Sequence, residues 1–255
     1  MDTVLAVCAL HKQWHRSGQP SFTLTVSALD VRAGEIHVIT GPKGAGKSTL
    51  GLLLAGLEPP DRGTVCVLGK PLTSPRATHH LSYLSAPYVV PEHNTVMGDL
   101  NVLIPLVASA FGQPTSELRS RLCAMLELLG LSAEALSTPA FAGTPRIRRA
   151  VDVALTLAPR VPLYILDEPC RAVSPETRQH MLALFRLLRS EGHSFVIMTA
   201  LPEVASAGDR VSFLQGGCLT GDVHPDAAEI HGPMLSPRAT HKPNDLTKMA
   251  EQNKM

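Results

Sequence analysis

Nine consecutive residues carry the densest chemistry in the chain: Gly41-Pro42-Lys43-Gly44-Ala45-Gly46-Lys47-Ser48-Thr49. Gly41, Gly46, Lys47 and Ser48 occupy the fixed positions of G-x-x-x-x-G-K-[ST]. Glycines, lacking a Cβ, let a loop curl and aim successive N–H groups inward at phosphate oxygens. A helix starting near Gly46 adds the positive end of its dipole. Lys47 is placed to reach the β- and γ-phosphates of a nucleotide, and the Ser48 hydroxyl to join an Mg²⁺ shell. A second set of groups is Asp167-Glu168, followed by Pro169. A carboxylate at the C-terminal edge of a parallel strand, beside a phosphate loop, can hold Mg²⁺ through water. The glutamate next to it can polarise an attacking water. Asp167-Glu168 alone would read as a solvated acidic strand end; paired with the phosphate loop it reads as part of a site.

The elements around these residues are those the chemistry needs. Ile36-His37-Val38-Ile39-Thr40 reads as a strand entering the glycine loop, and Leu50, Leu52, Leu53, Leu54 and Leu57 as the apolar positions of the helix leaving it. Leu163-Tyr164-Ile165-Leu166 is an apolar strand ending at Asp167. Further strands are expected at 3–10, 22–26, 64–68, 81–84, 194–199 and 209–214, and a hairpin turn at Gly216-Gly217 leads into Cys218–Thr220. Helical spacing runs from Thr95 to Leu129 with a break near Gly112–Pro114. Ser116 is the expected N-cap of its second helix and Gly130 its stop. Helices are also expected over 146–157 and from Ser174 (N-cap) and Pro175 (first turn) to about Ser190. Strands alternating with helices imply an α/β fold with a mostly parallel core sheet. The start of the chain reads as an antiparallel β subdomain and the stretch at about 86–150 as a helical one, within a nucleotide-binding domain spanning 1–223. Residues 224–255 hold Pro, His, Lys, Asn and Met without periodicity and read as a loosely held tail.

Composition limits the alternatives. The 255 residues carry a net charge of +1, so no strong field for nucleic acid or membrane is implied. The longest apolar stretch, Val102 to Phe111, contains Pro105 and is about half the ~20 residues of a membrane span. No basic-then-apolar start suggests a signal peptide. Five scattered cysteines without a C-x-x-C suggest reduced thiols and a cytoplasmic setting. His79-His80 lacks a third ligand at metal spacing and reads as surface. Trp14, the only tryptophan, reads by spacing alone as a packing aromatic rather than a stacking platform for a base.

Over roughly residues 3–223 the chain resembles the ATP-binding subunits of ABC transporters, P-loop NTPases that bind ATP with Mg²⁺. Gly41–Thr49 is similar to the family's Walker A loop and Leu163–Asp167 to its Walker B strand, with Glu168 at the catalytic position. Further matches are Arg32–Glu35, Thr95–Leu100, Glu176–Arg178 and Asp209–Val211. The resemblance implies adenine stacking on Trp14, phosphate binding by Gly41, Pro42, Lys43, Gly44, Ala45, Gly46, Lys47, Ser48 and Thr49, and Mg²⁺ at Ser48 and Asp167. It also implies two kinds of partner, membrane subunits and a second nucleotide-binding subunit, and a place at the inner face of the membrane through those partners. Leu118–Leu131 looks most like the branch serving ABC-2-type exporters.

Four family contacts are altered. The signature LSGGQ aligns with Phe141-Ala142-Gly143-Thr144-Pro145, the Q-loop glutamine with Ala86, the D-loop aspartate with Ser174 and the switch histidine with Ala200. Pro145 has no N–H to donate and Ala142 no hydroxyl. One lost transition-state hydrogen bond costs ~10²–10³ in rate. The expectation is therefore a cassette that binds ATP and turns it over poorly alone, or a regulatory subunit that senses nucleotide without hydrolysing it. A soluble ATPase acting on nucleic acid does not suit the near-neutral charge, and a small-molecule P-loop kinase does not account for the order and spacing of these segments.

Overall fold

A single ten-stranded sheet runs through the molecule in the order β5-β4-β1-β2-β10-β9-β3-β8-β7-β6. The strands are β1 (Thr3–Trp14), β2 (Phe22–Arg32), β3 (Ile36–Thr40), β4 (Arg62–Val67), β5 (Lys70–Pro71), β6 (Leu81–Leu84), β7 (Leu163–Asp167), β8 (Ser194–Thr199), β9 (Arg210–Gln215) and β10 (Cys218–Val223). This computed structural model describes residues 2–14, 21–73, 78–85, 95–132, 136–137 and 145–223. Ala86, residues 141–144 of the segment expected to align with the signature, and the tail at 224–255 lie outside the described residues.

The expected two-part sheet is present. β9, β3, β8, β7 and β6 are mutually parallel. β1 pairs antiparallel with β2 and with β4. Among the described helices are α1 (Lys47–Leu54), α2 (Val96–Ala110), α3 (Thr115–Leu128), α4 (Pro145–Leu157), α5 (Pro175–Ser190) and α6 (Pro202–Ala205). The pleat divides the core into two layers. Tyr164, Leu166, Phe195 and Ile197 face the cluster built by α2, α3, α4 and α5. Leu163, Ile165, Val196 and Met198 face the cluster of Leu50, Leu53 and Leu54 on α1. Both faces of the central strands are covered, so β7 and β8 are buried along their whole length.

Several boundaries differ from the sequence expectation. β1 runs four residues past Leu10, because His11 to Trp14 pair with Phe22 to Thr25 across the hairpin. Long-range pairing overrides the polar local composition there. β2 likewise continues to Arg32, paired with Thr3. Ser116 does not cap α3: Pro114 stands at the N-cap, with no side-chain cap bond, and Ser116 lies inside the helix. Pro105 sits inside α2 without ending it. Ser174 does cap α5, its hydroxyl accepting from the Thr177 amide at 3.1 Å. Gly130 and Gly192 follow α3 and α5 with φ of 75° and 95°, the left-handed turn that stops a helix.

Candidate functional site

The site lies at the C-terminal edge of the parallel strands, where topology brings distant segments side by side. β8 lies between β3 and β7, with Thr40 opposite Thr199 and Asp167 opposite Met198. The glycine loop and the acidic turn are therefore two strand spacings apart, roughly 10 Å. Between them opens a cleft of about 910 Å³. Its lining includes Trp14, Lys43, Lys47, Ser48, Glu168 and Ala200.

Loop geometry explains the glycines. A Cβ on Gly41 would stand 2.0 Å from the Leu214 carbonyl oxygen. Gly46 has φ 106° and would place a Cβ 2.6 Å from the Phe22 ring. Lys47 is buried, and its ammonium donates to the carbonyls of Gly41 (2.7 Å) and Pro42 (3.1 Å). It also lies 3.8 Å from a Glu168 carboxylate oxygen. The two side chains expected to bind phosphate and to polarise water therefore stand next to each other in the cleft lining. Glu168 has φ 47°, unusual for a residue with a side chain. Its carboxylate accepts from the Thr199 hydroxyl at 3.3 Å and from the Ala200 amide at 3.4 Å. At position 200 the side chain presents only a methyl group to the cleft.

Asp167 is fully buried, and neither carboxylate oxygen has a hydrogen-bond partner. Burial holds its carboxyl above the usual range; the nearby Ser48 hydroxyl pulls the other way, outside hydrogen-bonding geometry, as do the Arg149 and Lys47 cations. A buried, unpaired carboxylate beside a hydroxyl is a costly arrangement that a divalent cation resolves. On that observation Asp167 and Ser48 fit Mg²⁺. Asp167→Asn is expected to raise the melting temperature of the nucleotide-free protein by about 3 °C at pH 7, corresponding to roughly 1 kcal/mol in a domain of this size. The sign follows from the raised pKa: Asp167 contributes stability below pH 3.8 that is lost as pH rises through its folded value. The gain over wild type should therefore be smaller near pH 4 than at pH 7 in a scanning-calorimetry series.

Trp14 is far from Glu168 in sequence, yet the fold brings both to one lining. Its ring is 6.2 Å from that of Phe22, centroid to centroid. Lys12 lies 5.3 Å over the Trp14 ring and is tied down by Glu58 at 2.7 Å and by the Pro59 carbonyl at 2.8 Å. Trp14 is half-buried, packs against the core cluster that includes Leu50, Leu53 and Leu54, and also lines the phosphate-loop cleft. Phe22, Glu58, Arg171 and Arg178 also line it and were missed in the sequence. Phe22 enters through the long-range pairing that sets it opposite Trp14, which the expected strand at 3–10 did not reach. For the others no local pattern existed. Ser174 is committed to capping α5. His79 lies away from this cleft, its ring 3.1 Å from the Ala110 carbonyl oxygen, and no cluster of three metal-ligating side chains occurs among the described residues.

Comparison with known proteins agrees with this geometry. The ABC transporter family profile matches residues 24–171. A methionine import ATP-binding protein of Thermobifida fusca is 33% identical over 222 residues, covering 82% of this chain and 68% of the relative. A macrolide export ATP-binding/permease protein of Aeromonas hydrophila is 31% identical over 216 residues, with 82% of this chain but 33% of the relative covered. Among solved structures, a dimeric post-hydrolysis ATP-binding cassette bound to ADP and Pi superposes with a TM-score of 0.76 at 20% identity, over 87% of this chain and 98% of that one. That likeness carries the fold. Against several curated relatives the chain spans well under two thirds of their length.

Proposed function

The chain belongs to the ABC transporter family, and from that premise we propose that it is the ATP-binding subunit of a transport complex, holding Mg-ATP in the cleft while turning it over weakly or only with a partner. The observation that carries this reading is a pairing of opposites. The phosphate loop and the unpaired Asp167 carboxylate are built for a metal–nucleotide complex, whereas Ala200 puts a methyl beside Glu168. In this proposal Trp14 stacks the base, Gly41 to Thr49 cradle the phosphates, and Ser48 and Asp167 hold Mg²⁺. Mg²⁺ held there would supply charge neutralisation for the phosphates. Glu168 orients and polarises water, once Lys47 has turned from it toward phosphate.

Closure on a second nucleotide-binding subunit would pull on membrane subunits. Among the described residues no helix is long and apolar enough to cross a membrane; in this proposal the chain engages the bilayer through those subunits. α2 leaves Val102 and Leu106, one turn apart, exposed, which supports a docking partner on the helical side. The relatives serve both import and export by name, so the exporter-type partner suggested by Leu118–Leu131 remains part of the proposal. A second reading, a regulatory subunit that senses nucleotide without hydrolysing it, is favoured by Ala200 and by the engagement of Ser174 in capping.

Trp14 supplies the test, because it is the only tryptophan. Mg-ATP should change its fluorescence saturably. Trp14→Ala should weaken Mg-ATP binding, followed by calorimetry, about 10-fold, within the ~1–3 kcal/mol of one base–aromatic stack. A flat fluorescence titration together with unchanged calorimetric affinity in Trp14→Ala would remove the base from this platform.

A further inference from the structure

We infer that Arg149 is a positioning residue for the acidic turn: from α4 its guanidinium gathers the main-chain carbonyls of Asp167, Glu168 and Pro169 and so sets how the Asp167 and Glu168 side chains leave β7. The inference rests on the cleft being a site for Mg²⁺ and nucleotide. Arg149 is 1% exposed, and is among the largest side chains buried that completely. Nη2 donates to the Asp167 carbonyl and, at 2.9 Å, to that of Glu168. Nε donates to the Pro169 carbonyl at 3.3 Å. Nη1 donates to the Ser85 carbonyl at 2.8 Å, just beyond the end of β6.

These bonds explain a conformation that the acidic turn would not hold alone. Carbonyls of three successive residues point to one side, and their dipoles repel unless a cation sits among them. Glu168 is held at φ 47°, which is unfavourable for a residue with a Cβ and persists only where the surroundings dictate it. The planar fork of arginine spans Ser85 to Pro169 with donors in fixed directions; a lysine ammonium is a point charge and cannot. The scaffold behind the fork is firm, since Ala150, Val151, Val153 and Ala154 of α4 are all buried. Arg149 also lies one turn from Pro145, where α4 begins directly after residues 141–144.

The consequence is specific to the metal. Removing a group that orients a ligand typically costs 10–100-fold in metal affinity or activity. ATP affinity is to be measured by calorimetry with Mg²⁺ and with EDTA for wild type, Arg149→Met and Arg149→Lys, alongside melting temperatures. In wild type Mg²⁺ tightens binding. In Arg149→Met that advantage should shrink at least ~10-fold, while metal-free affinity, which depends on the phosphate loop and Trp14, stays near wild type. Arg149→Lys should recover melting temperature but not the Mg²⁺ advantage, because it restores charge without the fork. Should Arg149→Met fail to fold, Arg149→Lys alone decides: a wild-type Mg²⁺ advantage there overturns the inference. An undiminished advantage in Arg149→Met, or equal losses with and without metal, overturns it too. Wild type failing to bind ATP under either condition is a different failure, that of the cleft reading itself, and the inference falls with it.

Discussion

Lys47→Ala should weaken Mg-ATP binding by about 100-fold while leaving the protein folded. A hydrogen bond to a charged group is worth ~1.5–3 kcal/mol, and each 1.4 kcal/mol is tenfold in affinity. The Lys47 ammonium donates to the Gly41 and Pro42 carbonyls and lies 3.8 Å from Glu168, so it is held within the phosphate loop by contacts that phosphate oxygens would replace. Removal also leaves Glu168, whose side chain is 18% exposed, with only Thr199 and the Ala200 amide as the hydrogen-bond donors described above. A small drop in melting temperature should accompany the loss of affinity. Calorimetric titration checks the affinity and scanning calorimetry the melting temperature; an affinity within threefold of wild type would mean that phosphate is not bound at Lys47.

Ala200→His should raise steady-state ATP turnover by about 100-fold, the scale of one transition-state hydrogen bond. Position 200 follows the end of β8, its amide already bonds the Glu168 carboxylate, and its side chain opens into the cleft. An imidazole there would add a donor beside the phosphates and a second group to orient water. The increase should vanish in the double variant Ala200→His/Glu168→Gln, because the histidine acts with the glutamate. A rate that stays at the wild-type level would show that the missing histidine is not what limits this site, and would move attention to the altered signature.

The phosphate loop and the acidic strand end were legible because their chemistry is local. Gly41 to Thr49 and Asp167-Glu168 each lie within one short segment bounded by strong apolar runs. The parallel core was legible for the same reason: β3, β7 and β8 are short, apolar and flanked by turn residues. What escaped was long-range. β1 reaches Trp14 only because β2 pairs with it residue by residue. Phe22 enters the cleft through that pairing, and no spacing rule could place it against Gly46. Arg149 falls among Arg146, Arg148 and Arg149 at the start of the helix expected over 146–157, and nothing local separates it from the others; the fold turns it toward β7 and buries it, which depends on the packing of α4 against the sheet. Glu168's left-handed backbone was equally invisible, since it follows from the Arg149 fork and the Met198 carbonyl that accepts from its amide at 2.8 Å. Ser116 failed as a cap because Pro114 already fixes the entry to α3.

The most direct test of the account measures Mg-ATP affinity and steady-state turnover on the same preparation of the whole chain, beside Glu168→Gln. Saturable Mg-ATP binding with turnover so low that Glu168→Gln leaves it unchanged is the predicted result: a nucleotide-holding subunit whose own site awaits a partner. Brisk turnover that Glu168→Gln abolishes would contradict it, showing that Glu168 works without a histidine at position 200.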